Sequence, residues 1–65
     1  MRKWLIKLRK EREMTQLCLA ERIGISRAYY AQLELAQRSP SIRVAKKMAD
    51  ILDFEWTLFF EEIIC

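Results

Sequence analysis

Arg27, Ala28 and Gln32 carry the most suggestive chemistry in this chain of 65 residues. A guanidinium donates parallel hydrogen bonds, a carboxamide donates and accepts side by side, and a methyl group offers a small apolar contact. At about 100° per residue, positions i, i+1 and i+5 fall on one side of a helix. Such a set suits recognition of donors, acceptors and methyl groups on the edge of another molecule. It does not suit bond making. The sequence contains no histidine, and its two cysteines, Cys18 and Cys65, share no zinc-binding spacing. It shows no carboxylate pair, nucleophile-base set or phosphate-cradling loop, so no catalytic residue, metal ligand or cofactor is expected.

The residues that must position this set lie between Thr15 and Glu34, which read as two short helices joined at Gly24, the only glycine. Ala20 stands where the two helices cross closest and a larger side chain would push them apart. Gly24 follows Ile23, the last apolar residue of the first helix, where a chain leaving a helix commonly turns left-handed. Ser26 offers a hydroxyl to the exposed N–H groups of the next helix. Leu19, Ile23, Ile25, Tyr30 and Leu33 are spaced to face a shared interior. With Tyr30 and Leu33 inward, the outward face centres on Ala28 and Gln32, flanked by Arg27, Tyr29, Ala31 and Leu35.

This is the layout of a helix-turn-helix, which sets its second helix in the major groove of double-stranded DNA. Gln32 would then address the N6/N7 edge of adenine, Ala28 would pack on a thymine methyl, and Arg27 would take guanine O6/N7 or a nearby phosphate. Gln16, opening the first helix of the pair, would clamp a phosphate with its amide and the free N–H groups there. Ser26, Tyr29, Arg38 and Arg43 are the further backbone candidates.

The remaining elements follow from periodicity and punctuation. Residues 2 to 12 read as a first helix with Trp4, Leu5 and Leu8 on one face. Thr15 caps the second helix and Ser26 the third, and Gln37 to Pro40 form a connecting loop. Ser41 caps a fourth helix carrying Ile42, Ala45, Met48, Ala49 and Leu52 inward. A fifth, over about residues 55 to 63, carries Trp56, Phe59, Phe60 and Ile63 at i, i+3, i+4 and i+7. No strand pattern, repeat or linker is visible, so residues 1 to 65 read as one all-α, five-helix domain.

Charge is uneven. Residues 1 to 52 hold all 12 Lys and Arg against five acids, a balance of +7, whereas residues 53 to 65 hold four acids and no base. One end suits phosphate and the other does not. The N-terminus is too charged for a signal peptide and no run approaches the ~18 apolar residues of a membrane span, so a cytoplasmic location is expected. Hydrophobic residues make up 52% of the chain, more than so small a domain easily hides. The surplus near the C-terminus marks Phe60, Ile63 and Ile64 as candidates for a homodimer interface.

Taken together, the stretch from about Leu5 to Phe60 resembles the Xre/Cro repressor-like helix-turn-helix family. The matching residues are Leu8-Arg9, Thr15-Gln16, Leu19-Ala20, Gly24-Ile25-Ser26-Arg27, Tyr29, Gln32-Leu33-Glu34, Arg38, Pro40-Ser41 and Phe59-Phe60. The resemblance implies a compact lambda-repressor-like five-helix fold and base contacts at the positions of Arg27, Ala28 and Gln32. It also implies an ion pair between Arg9 and Glu34 that ties the first helix to the end of the third. The sequence departs from the family in three places: Leu35-Ala36 stands where Asn-Gly is usual, Glu13 where Gly is common, and Leu17-Cys18 where an acidic pair is usual.

The function this implies is sequence-specific binding of a palindromic operator by a stand-alone dimeric transcriptional regulator, with repression as the expected outcome. A second reading, of a different class, is an antitoxin-like or other protein-interaction module that uses the same fold to hold a protein partner.

Overall fold

The computed structural model describes residues 1–61, which form helices α1 (Lys3–Glu11), α2 (Gln16–Ile23), α3 (Arg27–Glu34), α4 (Ile42–Leu52) and α5 (Leu58–Glu61). Three helices start on a hydroxyl. Thr15 Oγ1 accepts the Cys18 N–H at 3.0 Å, Ser26 Oγ the Tyr29 N–H at 3.1 Å, and Ser41 Oγ the Val44 N–H at 3.2 Å. Each satisfies one first-turn donor that the helix itself leaves unpaired, worth about 1 kcal/mol.

The four longer helices all end by one device. A left-handed residue follows the helix, and the next N–H reaches back five residues: Met14 to Arg9, Ile25 to Ala20, Gln37 to Gln32 and Phe54 to Ala49. The left-handed residues are Glu13, Gly24, Ala36 and Asp53, with φ of 55°, 92°, 61° and 58°. Only Gly24 adopts this conformation without a Cβ penalty. α3 therefore ends at Glu34 although Leu35-Ala36 follows it. Ala36 takes the strained conformation that a glycine would take freely.

The interior is shared by every helix. Leu5 of α1, Leu19, Ala20 and Ile23 of α2, Tyr30 and Leu33 of α3, Ala45, Met48 and Leu52 of α4, and Phe59 of α5 form one buried cluster. At its edge Trp4, Phe54 and Phe59 meet edge to face, with ring centroids 5.0 to 5.7 Å apart.

Three expectations about packing need correction. Ile42 is 56% exposed. It is the first residue of α4, too close to the helix start to be covered, and Pro40 before the cap is buried instead. Ile25 packs on the cluster but is only partly buried. The fifth helix begins at Leu58 rather than near residue 55. Ahead of it the chain winds through tight i to i+3 bonds, from Leu58 N–H to the Glu55 carbonyl and from Phe59 N–H to the Trp56 carbonyl. Trp56 thus precedes the helix, although its ring still meets that of Phe60 at 5.9 Å.

Candidate nucleic-acid interface

The outer face of α3 is built from behind. Tyr30 and Leu33 are fully buried and Glu34 is 3% exposed, whereas Arg27 and Ala28 are exposed and Gln32 is partly so. The three proposed readers therefore share the open side of a helix whose other side is held by the core.

Beneath that face lies one hydrogen-bonded network. Glu34 Oε2 accepts from Arg9 Nε at 2.7 Å and from the Tyr30 hydroxyl at 2.5 Å, and Glu34 Oε1 accepts from Gln16 Nε2 at 2.8 Å. Arg9 also donates Nη1 to the Met14 carbonyl at 2.8 Å. The Arg9 and Glu34 side chains are 12% and 4% exposed, so this is a largely dehydrated ion pair. Burial pushes the Glu34 carboxyl upward, but hydrogen bonds from Arg9, Tyr30 and Gln16 outweigh it and leave the group below the usual carboxylate range. Burial likewise opposes the Arg9 charge, and the Glu34 hydrogen bond and charge reverse that effect. Tyr30 moves well above the ordinary phenol value, first through burial and then through its bond to Glu34.

The Gln16 side chain has two partners within the protein. Its amide nitrogen goes to Glu34 and its Oε1 accepts from Arg27 Nη1 at 3.1 Å. The side chain is thus engaged at both ends by protein. The main-chain N–H groups of Gln16 and Leu17 lie in the first turn, where a helix supplies no acceptor of its own. Ser26 spends its oxygen on the Tyr29 N–H, and its own proton is still a donor. Arg38 lies over the Tyr29 ring, 5.1 Å from its centroid, so two of the backbone candidates form one unit. Arg43 is exposed on α4, one turn from Lys47. Phe60 is partly buried beside Trp56, while Ile63 and Ile64 lie outside the described residues.

Sequence reasoning missed two arginines that look like solvated charges and serve the fold. Arg2 is 4% exposed. Its Nη1 donates to the Leu33 carbonyl at 2.6 Å and the Arg38 carbonyl at 2.8 Å, its main-chain N–H to the Glu34 carbonyl, and its guanidinium lies 5.3 Å from the Phe59 ring centre. It joins the end of α3, the following loop and α5. Arg12 Nη2 donates to the Leu52 carbonyl at the end of α4, 3.0 Å away. Cations favour helix C-termini, but nothing local in the sequence says that these two will reach helices more than 30 residues away. Arg2 and Arg9 are drawn largely into the interior, and Arg12 stays exposed while bonding to the Leu52 carbonyl, so less of the basic half faces a ligand than the count suggests.

Comparison with known proteins settles the family. The helix-turn-helix family model matches residues 5–59, from α1 into α5. This chain is a helix-turn-helix protein of the Xre/Cro type. Its similar proteins include the uncharacterized HTH-type transcriptional regulator YqaF of Bacillus subtilis strain 168, 48% identical over 63 residues, covering 97% of this chain and 83% of that protein. A second B. subtilis regulator, YqaE, is 37% identical over 75% of this chain and 42% of its own length. The immunity repressor protein of Bacillus phage phi105 is 38% identical over 74% of this chain and 33% of its own length. This chain thus spans well under half of the latter two. No solved structure matches. The helix-turn-helix family is one of DNA-binding transcription regulators. In this member, no helix among the described residues is long and apolar enough to cross a membrane.

Proposed function

We propose that this protein is a sequence-specific, cytoplasmic transcriptional regulator that binds a palindromic operator as a homodimer, acts as a repressor, and reads the major groove with α3. The observation that carries this reading is the placement of Arg27, Ala28 and Gln32 on the open side of a helix whose opposite side is buried. Arg27 and Gln32 supply the paired donors and acceptors that distinguish base edges, and Ala28 supplies an apolar contact for thymine. Around them Ser26, the stacked pair Tyr29 and Arg38, the exposed Arg43 and the first-turn N–H groups at Gln16 are suited to phosphate.

One such module makes few base contacts, so tight binding calls for two copies on half-sites about one helical turn apart. Phe60, with Ile63 and Ile64 following it in sequence, is the proposed dimer face. Similarity to a phage immunity repressor supports repression, which needs only an occupied operator. Selection of bound duplexes from a random DNA pool by the purified protein at about 150 mM salt, where nonspecific affinity is modest, tests the reading. An enriched palindrome with half-sites about 10 bp apart is expected. No enrichment would refute it.

A further inference from the structure

We propose that Arg2 is a positioning residue that sets the spacing between the half-sites of the operator. It ties α5, which carries the proposed dimer face, to the end of α3, which carries the proposed reading face. The inference deepens the proposed function and rests on both of those faces.

Phe59 is the buried residue of α5, so this ring anchors the helix. It meets Trp4 of α1 at 5.0 Å and Phe54, in the turn after α4, at 5.7 Å. Neither ring belongs to α3. Arg2 supplies that connection: its guanidinium lies 5.3 Å from the Phe59 ring centre, and its Nη1 donates to the Leu33 carbonyl at 2.6 Å and the Arg38 carbonyl at 2.8 Å. Its main-chain N–H donates to the Glu34 carbonyl at 2.7 Å. One residue thus joins the dimer helix to the last turn of the reading helix and to the loop that follows. The link continues outward, because the Arg38 side chain lies over Tyr29 of α3. Arg2 stands ahead of residues 5–59, which the family model matches, so this joint lies partly outside the common helix-turn-helix core.

The kinds of contact decide which of them fixes the geometry. Ring pairs are favourable over centroid separations of about 4.5–7 Å. A hydrogen bond is confined to about 2.7–3.2 Å and weakens steeply when bent. With Arg2 only 4% exposed, moving the guanidinium off its carbonyls would strand donors and acceptors away from water. The position of α5 against α3 is therefore held more tightly by Arg2 than by the ring cluster. In a two-fold dimer joined through α5, that position fixes the separation and twist of the two reading helices, and with them the half-site spacing.

The test is selection from the random duplex pool with the full chain and its Arg2→Met and Arg2→Lys variants, at a temperature where circular dichroism shows each folded. Half-site sequence and the spread of half-site spacings are read separately. Arg2→Met keeps an unbranched apolar stem over Phe59 and removes the donors. Arg2→Lys keeps a charge without the planar fork that bridges two carbonyls while lying on a ring. The wild type should select one spacing. In Arg2→Met its preference over spacings one base pair longer or shorter should fall about tenfold, the weight of one hydrogen bond to a charged group, and Arg2→Lys should lie between. The half-site sequence should stay the same in all three. Loss of stability alone would weaken binding at every spacing alike. An unchanged single spacing in the folded variants would overturn the inference and leave the reading of α3 intact, as would a wild type that already accepts several spacings. If Arg2→Met does not fold, Arg2→Lys decides alone, and an unchanged spacing there overturns the inference. A wild type that selects no palindrome fails the proposed function itself, and the inference with it.

Discussion

Removing the charge of Glu34 tests whether the network beneath α3 holds the reading helix. Replacement by Ala would leave the Arg9 guanidinium, on a side chain 12% exposed, without its carboxylate, and the buried Tyr30 hydroxyl without its acceptor. Breaking a buried ion pair from one side costs about 3–5 kcal/mol, mostly from the stranded charge. A folded chain of this length is stable by only about 3–10 kcal/mol, so Glu34→Ala should lose a large share of its stability or all of it. Glu34→Gln keeps the shape and one acceptor oxygen and provides the measurable case.

The effect has a defined pH dependence. The folded-state Glu34 carboxyl lies below its unfolded value, so on acidification the unfolded chain binds its proton first. The stabilisation is complete above the unfolded value, about 4.3, and is lost as pH falls through the lower folded value. Urea unfolding followed by far-ultraviolet circular dichroism, repeated from neutral pH downward, should show Glu34→Gln clearly weaker than wild type near pH 7. The two should converge in acid, where wild-type Glu34 is itself neutral. A neutral-pH difference under about 0.5 kcal/mol, the range of ordinary surface substitutions, or a difference that stays constant into acid, would refute the reasoning.

Three further outcomes are expected. Ala36→Gly relieves a left-handed alanine at φ 61°; against the greater freedom of glycine when unfolded, a net gain of about 0.5–1 kcal/mol should raise the melting temperature by several degrees in a calorimeter. An unchanged or lower value would mean that Ala36 is not strained. Gln32→Ala should cost about 1–3 kcal/mol in binding and relax preference at one base pair per half-site, as read by titration against single-base variants of the selected duplex; an equal loss on all of them would place Gln32 among the phosphate contacts. Phe60→Glu should weaken self-association in sedimentation and operator binding together, and unchanged sedimentation would dismiss the C-terminal face as the dimer interface.

The legibility of this protein in its sequence divides by the range of the interactions. Helix starts were readable because a capping hydroxyl acts within three residues, as Thr15, Ser26 and Ser41 do. The turn at Gly24 was readable because glycine marks a left-handed residue. The equivalent turns at Glu13, Ala36 and Asp53 were not, since Glu and Ala disfavour that conformation and Asp, which tolerates it, does not mark it as glycine does. The buried faces of α2, α3 and α4 followed from periodicity, with Ile42 misplaced because periodicity is blind to how far along a helix the cover extends.

What the chain determined by itself was therefore the local grammar: five helices, their order, and the residue types on the outer face of α3. The tertiary structure decided where the charges went. It drew Arg2 and Arg12 onto the ends of α3 and α4, and it engaged the Gln16 amide between Glu34 and Arg27. Those choices follow from the need to satisfy buried carbonyls and a buried carboxylate, a need that exists only once the helices have packed.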